Sequence, residues 1–328
     1  MEKLITAFPQ NILEALAIAE KQTFKQPSNA IQNIVICGMG GSGIGGKIVA
    51  QWIQDEAKIP VTILNDYSLP KFVDKHSLVI ASSYSGNTEE TLAAVYDAHN
   101  LGAHIIGICS GGALKTFCEK EAHDHIIVPG GNPPRTAIAF SIVQLINIFI
   151  QLGIIGENNL EEIKIGQQLL LKEATSIHAI AKELASFLNE KVGIFYAGPN
   201  YEGVAIRARQ QFNENSKLLC WHHVIPEMNH NELVGWGGGD DRFAVVFFNT
   251  KDLIPRNQKR YDISKDIISK RGAKIMELDA IGDSQIQRSL YLINLVDWAS
   301  YYLAEIKGVD IMDIKVIDFL KSELANFK

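Results

Sequence analysis

Ile34-Val-Ile-Cys-Gly-Met-Gly-Gly-Ser-Gly-Ile-Gly-Gly46 decides the fold. Its first four residues are apolar and mostly β-branched, which reads as a buried strand, and the strand empties into a glycine-rich loop that opens a helix over Gly46–Asp55. Similar runs recur at Val61–Leu64, Leu78–Ala81, His104–Ile108 and Ile126–Val128, with helical segments at Glu89–Asn100 and Ala113–Glu121 between them. Apolar strands alternating with amphipathic helices are the pattern of βαβ units and a parallel sheet covered on both faces.

The second half repeats the plan. Val192–Tyr196 leads into Ala-Gly-Pro-Asn and a helix, Phe243–Phe248 parallels Leu78–Ala81, and Gly272-Ala-Lys-Ile-Met276 echoes Gly102-Ala-His-Ile-Ile106. Strands starting at 34, 78 and 104 are matched by strands starting at 192, 243 and 273, so steps of 44 and 26 face steps of 51 and 30. The expectation is α/β: two doubly wound parallel-sheet domains of similar topology, residues 1–153 and 154–328, joined by a helical stretch at Asn158–Asn189.

A length of 328 residues suits two domains, each with its own core. Lys plus Arg number 31 against 37 Asp plus Glu, a formal charge of −6, which argues against nucleic acid as a partner. Four scattered cysteines with no C-x-x-C pair point to reduced thiols and a cytoplasmic protein. The N-terminus has no apolar secretory region. Thr136–Ile155 carries no charge over twenty residues, but Gln144, Asn147 and Gln151 interrupt it, so it reads as a helix buried in a core or subunit face rather than a membrane span.

Ligands of open parallel sheets bind beyond the carboxyl ends of the strands. Two loops there stand out. Gly38–Gly46 brings backbone N–H groups close to an anion at a helix start. Gly38, Gly40 and Gly43 also fit G-x-G-x-x-G, and Asp66 ends the second strand where a ribose-binding acid would lie, so a nicotinamide-dependent oxidoreductase stays open on this loop. The second loop, Ser82-Ser-Tyr-Ser-Gly-Asn-Thr-Glu-Glu90, offers hydroxyls at another helix start. Ser83, Ser85 and Thr88 can converge on one tetrahedral dianion, with the helix dipole supplying the positive field; the plainer alternative is that Ser85 and Thr88 only cap the helix.

With these loops quoted, the sequence resembles the sugar isomerase (SIS) domain, a fold that binds phosphosugars. Three later segments sharpen the likeness: Asn132-Pro-Pro-Arg-Thr136, Arg209-Gln-Gln-Phe-Asn-Glu-Asn-Ser-Lys217 and Pro226-Glu-Met-Asn-His-Asn-Glu-Leu-Val-Gly-Trp236. Together the five, in this order, resemble the bifunctional phosphoglucose/phosphomannose isomerase family over nearly the whole chain.

The resemblance implies an aldose–ketose isomerase that passes through a cis-enediol. It implies Glu214 as the proton-carrying base, Arg135 as the cation that stabilises the developing negative charge, and His230 as the group that opens the sugar ring. It also implies a site lysine near the C-terminus, matched best by Lys321 with Lys315 as runner-up; Ile311 stands where relatives often have proline after Gly308-Val-Asp310. Gly41, Ser42, Ser83, Ser85 and Thr88 are the expected phosphate ligands. The resemblance further implies a homodimer in which His230 reaches the partner's site. Residue chemistry agrees with these roles, since a carboxylate can take and return a proton, a guanidinium stays charged, and an imidazole exchanges protons near neutrality. No cofactor and no metal are expected: Trp221-His-His223 with His230 matches no closed zinc set. A non-catalytic phosphosugar sensor is the alternative from another class. Lys251, Arg256, Lys259 and Arg260 read as a solvated basic surface.

Overall fold

The computed structural model describes residues 1–327 and holds two parallel sheets with helices between and outside them. The first half runs α1 (Glu2–Thr6), α2 (Phe8–Ala19), β1 (Asn33–Cys37), α3 (Gly40–Trp52), β2 (Val61–Leu64), β3 (Ser77–Ser82), α4 (Glu89–Asn100), β4 (His104–Cys109), α5 (Gly112–Lys120), β5 (Asp124–Ile127) and α6 (Ile138–Gln151). Helices α7 (Asn158–Lys172) and α8 (Ala174–Leu188) follow. The second half runs β6 (Val192–Ala197), α9 (Glu202–Ser216), β7 (Cys220–Val224), α10 (Glu232–Gly235), β8 (Phe243–Asn249), α11 (Pro255–Ser269), β9 (Lys274–Asp279), α12 (Gln285–Lys307) and α13 (Lys315–Asn326).

The strand orders are β2-β1-β3-β4-β5 and β7-β6-β8-β9, parallel throughout, so the second sheet repeats the first without its last strand. Each order reverses once, between β1 and β3 and between β6 and β8, which is the doubly wound arrangement anticipated from the spacing. Alternate strand residues face opposite layers. Ile34, Ile36, Leu78 and Ile80 of the first sheet and Phe195, Val246 and Phe248 of the second join one core filled by α2, α3, α6 to α9 and α12. Val35, Val79 and Ile105 face α4 and α5 instead, and Ile194, Val245 and Phe247 face α11.

Several local expectations shift. Helix α3 starts at Gly40 and ends at Trp52, so the glycine run forms its first turns instead of preceding a helix at Gly46–Asp55. The stretch 158–189 is two helices broken at Glu173. Strand β7 was not anticipated, because Cys-Trp-His-His-Val lies at a sheet edge and carries only a half-buried polar pattern. The fifth strand starts at Asp124, two residues early.

The uncharged helix α6 is buried from Ile138 to Phe149 inside the chain's own core, and no described helix is long and apolar enough to cross a membrane. Its interrupting amides have a specific use. Gln144 Nε2 donates to Ala15 O at 2.7 Å, Asn147 Nδ2 to Ala19 O at 3.3 Å and Gln151 Nε2 to Gln22 O at 2.9 Å, which ties α6 to main-chain carbonyls of the last turn of α2 and of the segment that follows it.

Candidate active site

The two anion-type loops meet at the carboxyl edge of the first sheet, at the switch between β1 and β3. Ser42 Oγ accepts from Tyr84 N at 3.1 Å and so staples the start of α3 to the serine loop. Within that loop Ser83 and Thr88 hydroxyls lie 2.8 Å apart, and Thr88 N donates to Ser83 Oγ at 3.4 Å. Thr88 stands at the N-cap of α4, yet its side chain makes no capping bond. Its hydroxyl turns to Ser83 instead, which removes the reading in which it serves only to cap the helix. Ser85 is exposed and its Oγ accepts from Asn87 N at 3.2 Å. The turn depends on Gly86, whose φ is +70° and where a Cβ would sit 1.8 Å from Gly111 O.

Arg135 is delivered to the same edge by the short 3₁₀ turn Pro134–Thr136 between β5 and α6. A Cβ at Gly41 would lie 2.9 Å from Pro134 O and 3.3 Å from Arg135 Cα, so the glycine loop and the arginine turn are in direct contact. Tyr84 closes the ring from the other side, its hydroxyl accepting from Asn132 N at 3.3 Å.

The Arg135 side chain is 4% exposed and each of its three nitrogens is engaged. Nε donates to Asn215 Oδ1 at 2.7 Å, Nη1 to Glu214 Oε2 at 3.3 Å and Nη2 to Ile311 O at 2.8 Å. Burial pulls its pKa below the usual arginine value, and the Glu214 carboxylate opposes that shift. Glu214, on the last turn of α9, keeps 30% of its side chain exposed. A fixed cation therefore stands beside a carboxylate that remains open to a ligand. Lys217 adds a second cation: its Nζ donates to Glu214 O at 2.5 Å, and burial together with nearby Arg135 holds its pKa below that of a free lysine.

Behind this pair lies a buried polar network. Asp297, in the buried middle of α12, accepts from Arg207 Nη2 at 2.6 Å and Gln211 Nε2 at 2.8 Å, and Arg207 Nη2 also donates to Arg135 O at 3.1 Å. Burial pushes the Asp297 carboxyl up while Arg207 and Gln211 oppose it. Asn215 is held in turn by its Nδ2 donating to Ser300 Oγ at 2.9 Å. Both the main chain and the guanidinium of Arg135 are thus fixed from α9 and α12.

His230 and Lys321 stand apart from this cluster. Helix α9 returns the chain to the amino edge of the second sheet before β7 begins, which puts Glu214 near that edge; His230 follows β7 at the opposite edge. A five-residue strand spans roughly 16 Å at about 3.3 Å per residue. His230 is exposed and has no hydrogen bond or ion pair among the described residues. Lys321 lies on α13, which buries none of its residues, and Lys315 on the same helix faces Asp313 at 3.7 Å. At the end of the second strand Asp66 Oδ1 accepts from Tyr67 N at 2.7 Å, and Asn65 is the side chain that reaches the glycine loop, donating to Gly38 O at 2.6 Å.

Sequence reasoning missed Asn215, Lys217, Arg207, Asp297 and Tyr84. A signal existed for Asp297, since a carboxylate in Leu-Tyr-Leu-Ile-Asn-Leu-Val-Asp-Trp-Ala asks for a buried partner. Among the described residues no three His, Cys, Asp or Glu side chains are grouped to hold a metal ion.

Residues 29–147 match the family model described as SIS domain, and residues 177–324 match the one described as bacterial phospho-glucose isomerase C-terminal SIS domain. The chain is 38% identical over 330 residues to the bifunctional phosphoglucose/phosphomannose isomerase of Caldicellulosiruptor bescii, covering 98% of this chain and 97% of that one. It is 36% identical over 297 residues to the protein of the same name from Aquifex aeolicus, covering 89% and 90%. Among solved structures, the C-terminal domain of glucosamine-fructose-6-phosphate aminotransferase from Francisella tularensis superposes with a TM-score of 0.74 at 19% identity, covering 95% of this chain and 97% of that one, a likeness of fold.

Proposed function

The chain belongs to the bifunctional phosphoglucose/phosphomannose isomerase family, and from that membership we propose that it interconverts glucose 6-phosphate and mannose 6-phosphate with fructose 6-phosphate through a cis-enediol. It is an aldose–ketose isomerase. The observation that carries the residue assignment is the pairing of half-open Glu214 with buried Arg135, on a turn that abuts the glycine loop at Gly41.

The phosphate sits at the carboxyl edge of the first sheet, taken by the hydroxyls of Ser42, Ser83, Ser85 and Thr88 and by backbone N–H groups around Gly41 and the start of α4. Held there, the sugar presents C1 and C2 to Glu214. The carboxylate removes the proton from one carbon and returns it to the other while the hydroxyl proton passes from one of the two oxygens to its neighbour, so the carbonyl moves and no proton is lost overall. Negative charge that grows on the enediolate oxygen faces the Arg135 guanidinium, which needs no reorganisation because its three bonds already fix it. Both aldoses reach one intermediate if it turns about its C2–C3 bond before reprotonation. The chemistry needs no metal and no cofactor.

A homodimer completes this scheme. His230 lies at the far edge of its own second sheet, where it suits ring opening in the site of a second copy. Lys321 lies on a helix with exposed Val316, Phe319 and Leu320, an apolar face that suits packing on the same partner. Four free, buried cysteines suit a reducing compartment, the cytoplasm.

The test is direct. Protein is incubated with fructose 6-phosphate in EDTA and both aldose products are followed; glucose 6-phosphate and mannose 6-phosphate are expected, and the absence of turnover overturns the reading in favour of a phosphosugar sensor. Glu214→Gln is expected to abolish turnover while substrate still binds. Normal turnover in that variant removes the base assignment.

A further inference from the structure

A second concavity lies at the opposite, amino edge of the first sheet. The segment between α2 and β1 crosses beneath the starts of β3, β4 and β5 and is tied there: Lys25 N donates to Asp124 Oδ2 and Lys25 Nζ to Ala122 O, both at 2.6 Å, and Gln32 N donates to His76 O at 2.8 Å. Between this strap and the strand starts is a cavity of about 250 Å³. Its charged and titratable lining is Lys25, Lys75, His76, His104, His123 and Asp124.

The lining is basic on a protein whose net charge is −6. The single carboxylate is already engaged by the Lys25 amide. Lys75 Nζ has no hydrogen bond or ion pair among the described residues, and His104 Nε2 is a buried nitrogen without a partner. His76 uses Nδ1 on Ala30 O at 3.3 Å and keeps its other nitrogen free, while His123 uses Nε2 against His99 Nδ1 at 2.9 Å and keeps Nδ1. Lys75 and the unpaired His104 Nε2, in the tautomer that carries its proton there, offer donors to an anion with several acceptor oxygens, and His76, whose Nδ1 already donates to Ala30 O, adds a second N–H as the imidazolium. The volume falls below the roughly 300–1,000 Å³ of ordinary small-molecule pockets, which limits the ligand to a few heavy atoms around the charged group. The imidazoles do not converge as metal ligands do.

We propose that this cavity is a second anion site, separate from the catalytic edge, that binds a small phosphate-bearing metabolite through Lys75 and the imidazoles of His76 and His104. The ligand is either free phosphate or a short phosphate ester, and the two share the group recognised.

Isothermal titration with inorganic phosphate and, separately, with glycerol 3-phosphate tests this on the full-length protein. Wild type is expected to show two classes of site. Lys75→Glu, a change at an exposed position, is expected to weaken one class at least tenfold while isomerase kcat and KM stay within twofold. The double variant Ser85→Ala/Thr88→Ala is expected to weaken only the other class, so failure of the catalytic cup and failure of this site are read separately. In protein labelled at histidine carbons, phosphate is expected to shift the His76 and His104 resonances in wild type and in the double variant. Tighter binding of glycerol 3-phosphate supports an ester ligand, and equal or tighter binding of inorganic phosphate supports the free ion. Unchanged binding in Lys75→Glu, or histidine resonances that do not move with either probe, overturns the proposal.

Discussion

Arg135→Lys separates the charge of Arg135 from its shape. Lysine keeps the cation but offers one ammonium in place of a fork that meets three acceptors on three parts of the chain, Asn215 Oδ1, Glu214 Oε2 and Ile311 O. An ammonium close to Glu214 leaves the Asn215 oxygen without a donor. Asn215 is fully buried, and an unsatisfied buried acceptor costs about 1–3 kcal/mol, whereas Ile311 is partly exposed and can recruit water. Urea unfolding is therefore expected to show a loss of about 1–3 kcal/mol. The catalytic loss is larger. Removing one preorganised donor from a developing oxyanion costs about 10²–10³ in kcat, or about 2.7–4 kcal/mol. Because the phosphate is held elsewhere, KM for fructose 6-phosphate should change little. Initial rates of aldose formation measure this. A kcat within threefold of wild type, or a loss confined to KM, refutes the reasoning that a fixed guanidinium rather than mere positive charge is required.

Ser85→Ala with Thr88→Ala is expected to raise KM for hexose phosphate at least tenfold with a smaller effect on kcat, measured by steady-state kinetics, since uniform binding is what those hydroxyls supply. Gly41→Ala puts a Cβ 2.9 Å from Pro134 O, so the glycine loop and the Arg135 turn must part by a few tenths of an ångström. Misplacement by about 1 Å can cost 10²-fold, and a loss in kcat of roughly fivefold to tenfold is expected, with thermal unfolding recording the stability change separately. Burial holds the His222 imidazole down at about 4 from its ordinary 6.5. Its contribution to stability is complete above pH 6.5 and declines toward pH 4, because the unfolded chain takes up a proton there that the folded chain refuses. Denaturation midpoints at pH 7 and pH 5 should converge in His222→Gln relative to wild type.

Much of this molecule is legible along the chain. Residues 34–37 and 78–81 are strands because β-branched side chains fit a pleated layer buried on both faces, and the glycine and serine loops that follow are local signals of close backbone approach and of hydroxyls at a helix start. The repeated spacing of strands in the two halves points to the similar topology that the two strand orders show. Local pattern failed where neighbours far away set the outcome. Helix α3 begins inside the glycine run because tertiary packing overrides glycine's poor helix propensity. The edge strand β7 carries too little apolar character to announce itself.

What the sequence determined by itself was the set of chemical parts and the scaffold type, since both follow from short-range periodicity and from residue types at fixed offsets. What only the tertiary structure decided was which parts meet. Arg135 and Glu214 are 79 residues apart in sequence and come together because α9 packs against the layer beneath the first sheet. Arg207 and Asp297, 90 residues apart, fix the Arg135 main chain from behind. His230, close to Glu214 in sequence, is carried to the far edge by one strand. Proximity along a chain is a covalent fact, but proximity in a site is settled by which apolar faces bury one another, and that choice belongs to the whole molecule.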